Sequence, residues 1–234
     1  MNDMNWIYQG TLKQNNTIYQ VRRLVLDDIP ALLFLQKLAL EELNNSDILQ
    51  PLEPSEFEYI LKGNGLMIGA FTNEQLIAFR ALLIPPIDEE EHLGLFLGLE
   101  NKLDEIMYQE ISVVHPLYRG NQLQQKLATL IMEELTKEAH SFTYICATVA
   151  PYNIPSLKDK FKQNMMVGAL IDIYGGKLRY VFYKKINKSD DCKWLLEITV
   201  PTFEVSKQKQ LLNDGWIGVQ LVEADDTISI KYVK

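Results

Sequence analysis

The sequence is poor in residues that form disulfides or bind soft metals. Only Cys146 and Cys192 are present, with no C-x-x-C spacing, and the three histidines (His92, His115 and His140) are scattered. A disulfide framework or a zinc site needs several such residues at short, regular spacing. The sequence therefore predicts neither a disulfide scaffold nor a bound metal.

Long apolar runs are also missing. No run approaches the roughly 18 residues that a membrane-spanning helix needs. The first ten residues, MNDMNWIYQG, have neither the basic start nor the apolar stretch of a signal peptide. We therefore expect a cytoplasmic protein with no membrane partner.

Positive charge is scarce, because 23 lysines and arginines face 31 acidic residues, which gives a net charge of −8. Nucleic acid and anionic lipid both require a concentrated basic surface, so neither is an expected partner. The balance weakly favours a cationic or neutral partner. The acidic run DEEEH at 88–92 is most simply a solvated loop, and a rim that attracts amines is the alternative.

Three common signatures of enzyme sites do not occur. The chain contains no G-x-x-x-x-G-K-[ST] motif and no G-x-S-x-G motif. The glycines of Gly63-Asn64-Gly65 lack the third glycine of a dinucleotide-binding fingerprint and precede a strand rather than a helix. P-loop nucleotide hydrolysis and α/β-hydrolase chemistry are therefore not expected.

The stretch PLYRGNQLQQKLATLIMEEL, residues 116–135, reads as a tight turn followed by an amphipathic helix. Its apolar residues recur at the spacing of one helical face, and they are Leu123, Leu127, Leu130, Ile131 and Leu135. A helix is therefore predicted to begin near Asn121. The preceding run MYQEISVVHP has the character of a strand.

The start of this helix is a candidate anion site. The first turn of a helix has backbone N–H groups without intrahelical partners, and the helix dipole adds partial positive charge there. Arg119 stands just before it with a forked cation that suits phosphate oxygens. Strand, Arg-Gly turn and helix can together bind a phosphate. The alternative is an ordinary strand-to-helix connection with a surface arginine.

The rest of the chain alternates strands and helices. A strand, two helices and a hairpin are predicted before residue 85, and a strand, a helix and a second hairpin follow the long helix. Polar residues at 187–193 mark a boundary. We predict a main domain over residues 1–186 and a small α+β appendage over 187–234. About forty residues seldom form an independent core, so the appendage should pack on the main domain or on another subunit.

The order of these elements resembles that of the GNAT family, the GCN5-related, acetyl-CoA-dependent N-acetyltransferases. The residues that carry the likeness are SVVHPLYRGNQLQQKLATLIMEEL and, less strongly, ATVAPYNIPSLKDKF. The first contains a version of the family's [QR]-x-x-G-x-[GA] signature, beginning at Arg119. The resemblance covers residues 18–186 and implies an α/β fold with a mixed, mostly antiparallel central sheet flanked by helices.

The resemblance also implies a set of contacts to acetyl-CoA as cosubstrate, with no metal. They are Val113, Val114, Arg119, Gly120, Asn121, Gln122, Leu123, Gln124, Asn153 and Ser156. Gln122 and Gln124 stand where the family usually has small residues. We expect Gln122 to fit because helical dihedral angles do not require glycine. The family commonly has a tyrosine that serves as the general acid. At that position this chain has Lys160, which precedes Phe161.

Acetyl transfer to an amine needs a group that removes a proton and a group that assists the leaving thiolate. Glu110 lies on the strand entering the turn, where the family often has its general base, although it could be a surface carboxylate. Tyr152 is the candidate acid, with Tyr118 as an alternative, and both could simply be packing residues. Asn153 could also be a helix cap, and His115 is better explained as a strand-end residue than as a base.

The leading expectation is an enzyme that transfers an acetyl group from acetyl-CoA to the primary amine of a small molecule or peptide. A second hypothesis is an acyl-CoA-binding module without turnover, which the absent tyrosine and the two glutamines favour. A third is an interaction protein in which the tail is the functional part. A homodimer is compatible with the sequence. The acceptor amine is not identified by the sequence, because loops form the acceptor site in this fold.

Overall fold

The computed structural model describes residues 5–42, 49–87, 90–138, 141–186 and 194–234. The chain forms two compact units. The first consists of Met1–Ile84 and Gln109–His140, and the second of Pro85–Tyr108 and Ser141–Lys234.

The first unit is built on a sheet. In order across the sheet its strands are β1 (Trp6–Thr11), β2 (Ile18–Arg23), β3 (Gly65–Thr72), β4 (Gln75–Leu83) and residues 109–114 of β5 (Ile106–Val114). Of these, β1–β2, β2–β3 and β3–β4 pair antiparallel. The first hairpin predicted from the sequence is confirmed as β3–β4. It turns at Asn73 and Glu74, which both have positive φ, as tight hairpins require.

Three helices pack on β3 and β4 of this unit. They are α1 (Ile29–Glu41), α2 (Pro54–Leu61) and α3 (Leu123–Thr136). The apolar stripe predicted for α3 is confirmed, because all five of its members are buried: Leu123, Leu127, Leu130, Ile131 and Leu135. Burial of each such side chain contributes about 1.5–3 kcal/mol, so the stripe fixes α3 against the sheet.

The second unit contains a mixed sheet. Its strands are residues 106–108 of β5, then β6 (Tyr144–Val149), β8 (Lys177–Lys185) and β7 (Met166–Ile173), with helix α4 (Ile154–Lys162) between β6 and β7 in sequence. β5 and β6 pair in parallel, whereas β6–β8 and β7–β8 are antiparallel. The prediction of a mixed, mostly antiparallel sheet is therefore confirmed.

The last forty residues fold as the predicted α+β segment and extend the sheet of the second unit. The tail contains β9 (Glu197–Pro201), α5 (Val205–Asn213), β10 (Ile217–Ala224) and β11 (Thr227–Val233). The strand order continues from β7 through β10 and β11 to β9, and α5 packs on β7. The tail therefore packs on the body of its own chain. The proposed domain boundary at 187 lies outside the described residues.

A buried glutamine connects the tail to the rest of the second unit. Gln208 on α5 is fully buried, and its Oε1 accepts hydrogen bonds from the hydroxyls of Tyr180 and Tyr232, each 2.7 Å long. Its Nε2 donates to the carbonyl oxygens of Pro201 and Thr202, at 3.1 and 2.9 Å. All four hydrogen-bonding positions of the amide are thus used. The network joins β8 of the body to α5, β9 and β11 of the tail.

Several features predicted from the sequence lie outside the described residues. They are Cys192, His140, the polar boundary at 187–193 and the first two residues of the acidic run, Asp88 and Glu89. Within the described ranges, no helix is long and apolar enough to cross a membrane.

Candidate functional site

Strand β5 contains Glu110, the candidate base, and leads to the turn at Arg119. Ile111 and Val113 are buried, whereas Glu110, Ser112 and Val114 are half-buried. Side chains of a strand alternate between its two faces, so Glu110, Ser112 and Val114 share one face. Glu110 therefore lies on the more accessible face of the strand that leads to Arg119, and its role as a base stays a prediction.

Ser112 was missed by the sequence reasoning. Its Oγ is buried and has no hydrogen-bond partner in the part of the chain that the structure describes. Such a hydroxyl costs roughly 1–3 kcal/mol when it is left unpaired, and buried polar groups normally have a partner. Ser112 is therefore a candidate ligand contact on the face of Glu110. The alternation of β5 could have pointed to it, because it lies two residues beyond Glu110.

A short 3₁₀ turn at Pro116–Tyr118 leads from β5 to Arg119. The Nδ1 of His115 accepts a hydrogen bond of 3.2 Å from the backbone N–H of Leu117, and its ring packs edge-on against Tyr118. Burial, and then the charge of Arg119, lower the pKa of His115 from its usual 6.5, so the ring is neutral at pH 7. These contacts support the interpretation of His115 as a strand-end residue.

The backbone between Arg119 and α3 is left-handed at two positions. Gly120 has φ of 82° and Gln122 has φ of 60°, and Gln122 is the N-cap rather than a residue of the helix. The expectation that Gln122 has helical dihedral angles is therefore wrong. A left-handed conformation costs a residue other than glycine about 1–2 kcal/mol, because Cβ approaches the following carbonyl oxygen. This strain explains why a small residue suits the position.

Replacing Gln122 by glycine should therefore stabilise the protein. We expect the free energy of unfolding to rise by about 0.5–1 kcal/mol, because relief of the left-handed strain exceeds the added entropy of the unfolded chain. The matched control is Gln125→Gly, which places the same substitution inside α3 and should lower the free energy by about 1 kcal/mol. Urea unfolding measures both. If Gln122→Gly and Gln125→Gly both lowered the free energy of unfolding, Gln122 would not be strained at the N-cap.

The N-terminus of α3 has the properties of an anion site. Gln122 makes no side-chain capping hydrogen bond, so the first N–H groups of α3 have no partner from their cap residue. Arg119 is exposed immediately before it. The predicted combination of a cation and an uncapped helix start is therefore present in one turn, within the first unit.

A buried arginine adds a second cation beneath this turn. Arg80 on β4 is almost fully buried. Its Nη1 donates to the carbonyl oxygen of Gln124 at 3.3 Å, and its Nη2 donates to Oε1 of Gln109 at 2.7 Å. The guanidinium therefore contacts the first turn of α3 directly and makes the local potential more positive. This contact could not be predicted from local patterns, because 44 residues separate Arg80 from Gln124.

A groove of about 600 Å³ lies beside the turn, also within the first unit. Asn121 and Gln122 of the turn, Gln125 and Lys126 of α3, and residues of β1 and β2 line it. Its lining has two lysines, Lys13 and Lys126, and no carboxylate. The Nζ of Lys126 lies 4.6 Å from the centre of the Tyr8 ring. In a chain of net charge −8, this groove is a local basic surface with an aromatic wall.

The other candidate residues belong to the second unit. The Oδ1 of Asn153 accepts a hydrogen bond of 3.2 Å from the backbone N–H of Ser156, and Asn153 is thereby the N-cap of α4. Asn153 therefore does cap a helix, which was the alternative role for this residue. Contacts of Asn153 and Ser156 to a cofactor stay predictions. Tyr152 is about half exposed, and its role as the acid is likewise a prediction.

The residue that replaces the family's tyrosine is buried. Lys160 is 7% exposed, and its Nζ lies 3.8 Å from Oδ2 of the buried Asp159. The next residue, Phe161, packs edge-on against Phe182. Both positions therefore contribute to the packing of α4.

Neither thiolate chemistry nor a metal site is indicated by the described residues. Burial raises the pKa of the Cys146 thiol to about 12, so this thiol is protonated at pH 7 and is a poor nucleophile. Within the described ranges, no group of three His, Cys, Asp or Glu side chains is placed to hold a metal ion.

Comparison with known proteins identifies the fold. No protein-family model and no curated protein matches the chain. Solved structures do match, among them the GNAT domain of PAT from S. lividans, with a TM-score of 0.54, 12% identity, and coverage of 76% of this chain and 96% of that domain.

Two further structures match at similar levels. A putative acetyltransferase from Salmonella typhimurium, solved with its cofactor acetyl-CoA, has a TM-score of 0.55 and 12% identity, over 75% of this chain and 98% of that one. The ribosomal-protein-S18-alanine N-acetyltransferase from Escherichia coli has a TM-score of 0.51 and 13% identity, over 76% and 99%. The chain therefore has the GNAT fold, as its sequence predicts. At these identities the likeness establishes the fold alone.

Proposed function

We propose that the protein is an N-acetyltransferase that uses acetyl-CoA as its acyl donor and a primary amine as its acceptor. The observation that carries the proposal is the turn from Arg119 to Gln124 on a GNAT fold. There an uncapped helix start, the exposed Arg119 and the buried Arg80 together form a site suited to a pyrophosphate.

Different residues of the first unit suit successive parts of the acetyl-CoA molecule. The N–H groups at the start of α3 and the Arg119 guanidinium bind the pyrophosphate. Lys126 and Lys13, which line the groove beside the turn, are suited to the 3′-phosphate of the nucleotide. The orphaned Oγ of Ser112 and the backbone of Val113 and Val114 on β5 are suited to the pantetheine arm.

Glu110 is the proposed general base. An amine is mostly protonated at neutral pH and attacks a thioester only as the neutral base, so a carboxylate or a water that it orients must take the proton. The amine nitrogen then forms a bond to the acetyl carbon, the carbon–sulfur bond breaks, and the thiolate takes up a proton. Tyr152 is the proposed donor of that proton, because it is one of the tyrosines nearest in sequence to the motifs that resemble the family's.

A small molecule or peptide with a primary amine is the proposed acceptor. The E. coli structure with the same fold is by its name an acetyltransferase of a ribosomal protein's alanine. The net charge of −8 favours approach of a cationic amine. A cytoplasmic location and assembly as a homodimer belong to the same proposal.

Arg119 provides the direct test of the anion site. Arg119→Ala should weaken acetyl-CoA binding at least several-fold, because the loss of a charge-assisted hydrogen bond costs about 1.5–3 kcal/mol. Calorimetric titration measures the affinity. The control is Lys37→Ala, which removes an equally positive, exposed side chain from α1 and should leave the affinity unchanged. Unchanged affinity in Arg119→Ala would show that the anion binds elsewhere.

A further inference from the structure

Gln14, in the loop between β1 and β2, is hydrogen-bonded to the Arg119–Gln122 turn, to which the proposed function assigns the pyrophosphate. Its Nε2 donates to the carbonyl oxygen of Arg119 at 3.1 Å, and its Oε1 accepts from Nδ2 of Asn121 at 3.1 Å. Its backbone N–H also donates to Oδ1 of Asn121, again at 3.1 Å. Residues more than a hundred positions apart in sequence are thereby joined by three hydrogen bonds.

The loop that carries Gln14 is itself well held. Leu12 is buried, its backbone N–H donates to the carbonyl oxygen of Thr17 at 2.8 Å, and its own carbonyl accepts from the N–H of Asn16 at 2.9 Å. The N–H of Thr17 also donates to Oδ1 of Asn15. The side chain of Gln14 therefore projects from a hydrogen-bonded loop anchored in the core.

The turn needs such support because it contains two left-handed residues. Gly120 and Gln122, with φ of 82° and 60°, flank Asn121. Asn121 is buried, and its Nδ2 also donates to the carbonyl oxygen of Tyr118 at 3.0 Å. Asn121 thus links Gln14 to the start of the turn. A Cβ at Gly120 would lie 3.0 Å from Nε2 of Gln14, so the amide lies directly against the glycine.

The bond to Arg119 also fixes the direction of a donor. In a planar trans peptide, the carbonyl oxygen of one residue and the N–H of the next point in opposite directions. Because Gln14 holds the carbonyl oxygen of Arg119, the N–H of Gly120 must point away from Gln14. Donors that are oriented before a ligand binds give higher affinity, because binding does not have to order them.

We propose that Gln14 is a positioning residue: it holds the Arg119–Gln122 turn in the conformation that binds the pyrophosphate of the acyl donor. This inference rests on the proposed function of the turn. Gln14 need not touch the donor, and it acts through Asn121 and the carbonyl of Arg119. Its expected contribution is therefore to affinity for phosphate-bearing donors and not to the transfer step.

The test compares Gln14→Ala with Gln20→Ala. Gln20 lies in the same hairpin and makes one exposed side-chain hydrogen bond, to Gln9, so its change removes similar atoms without touching the turn. Donor binding is measured with acetyl-CoA and with S-acetyl-pantetheine, which has no phosphate. The loss of two hydrogen bonds should weaken acetyl-CoA about tenfold in Gln14→Ala. The affinity for S-acetyl-pantetheine should stay within about twofold.

A purely structural role for Gln14 gives a different pattern. Equal affinity of Gln14→Ala and the unchanged protein for acetyl-CoA would overturn the proposal, and so would an equal loss for both donors. Gln20→Ala should match the unchanged protein with either donor. A loss of acetyl-CoA affinity in Gln20→Ala equal to that in Gln14→Ala would also overturn it.

A ligand-free measurement separates this inference from the proposed function. NMR relaxation dispersion reports microsecond-to-millisecond motion at the amides of Gly120 and Gln122. We expect such motion in Gln14→Ala and its absence in the unchanged protein and in Gln20→Ala. If the unchanged protein does not bind acetyl-CoA, the proposed function fails, and the dispersion data alone decide whether Gln14 positions the turn. Identical dispersion in all three proteins would overturn that role.

Discussion

Glu110→Gln is expected to lower turnover about 100-fold or more at neutral pH while leaving the affinity for acetyl-CoA unchanged. The amide has nearly the shape of the carboxylate, so it leaves no cavity on β5, but it cannot accept the proton of the attacking amine. General-base catalysis typically contributes about 10²–10⁴-fold, which sets the expected size of the loss. Release of free thiol with a panel of amines measures turnover, and calorimetry measures affinity.

The pH profile gives Glu110→Gln an internal check. Activity should fall on the acid side in the unchanged protein as the carboxylate is protonated, and this limb should be missing in the variant. Glu41→Gln, an exposed change on α1, is the matched control and should behave like the unchanged protein. Equal turnover of Glu110→Gln and the unchanged protein would remove Glu110 from the mechanism. Acetyl-CoA binding without turnover in either protein would favour the acyl-CoA-binding module.

Gln208→Ala is expected to lower the free energy of unfolding of the second unit by about 3–5 kcal/mol. The change removes four hydrogen bonds at a fully buried position and leaves two tyrosine hydroxyls and two carbonyl oxygens without that partner. Each buried polar group left unpaired costs about 1–3 kcal/mol, and the cavity adds to the loss. Urea unfolding can be followed through tryptophan fluorescence, to which Trp216, directly before β10, contributes.

Gln210→Ala is the matched control, because Gln210 is an exposed residue of the same type on the same helix. Its effect should stay within about 0.5 kcal/mol. A loss of less than about 1 kcal/mol in Gln208→Ala would show that the network is not what holds the tail to the sheet.

Much of the fold could be predicted from local patterns. The apolar stripe of α3 is a repeat within about a dozen residues, and burial of one helical face is what such a repeat specifies. Gly215 follows the C-cap of α5 with φ of 82°, the left-handed conformation in which glycine commonly ends a helix. These features could be predicted from the sequence because each depends on residues that are neighbours along the chain.

The conformation of the Arg119–Gln122 turn could be predicted only in part from the sequence. Gln122 was expected to be helical because its side chain gives no sign of a left-handed backbone. The small residue that the family pattern has there was the available signal, since glycine tolerates positive φ. The contacts of Gln14 and Arg80 could not be predicted, because their partners lie 29 to 107 residues away and only the folded chain brings them together.

Calorimetric titration of the unchanged protein with acetyl-CoA tests the central claim most directly. The account predicts saturable binding of one acetyl-CoA per chain. It also predicts that acetyl-CoA at about 100 times its dissociation constant raises the free energy of unfolding by about 2.7 kcal/mol. No heat of binding and no stabilisation at millimolar acetyl-CoA would contradict it, because the Arg119–Gln124 turn would then not be an acyl-CoA site.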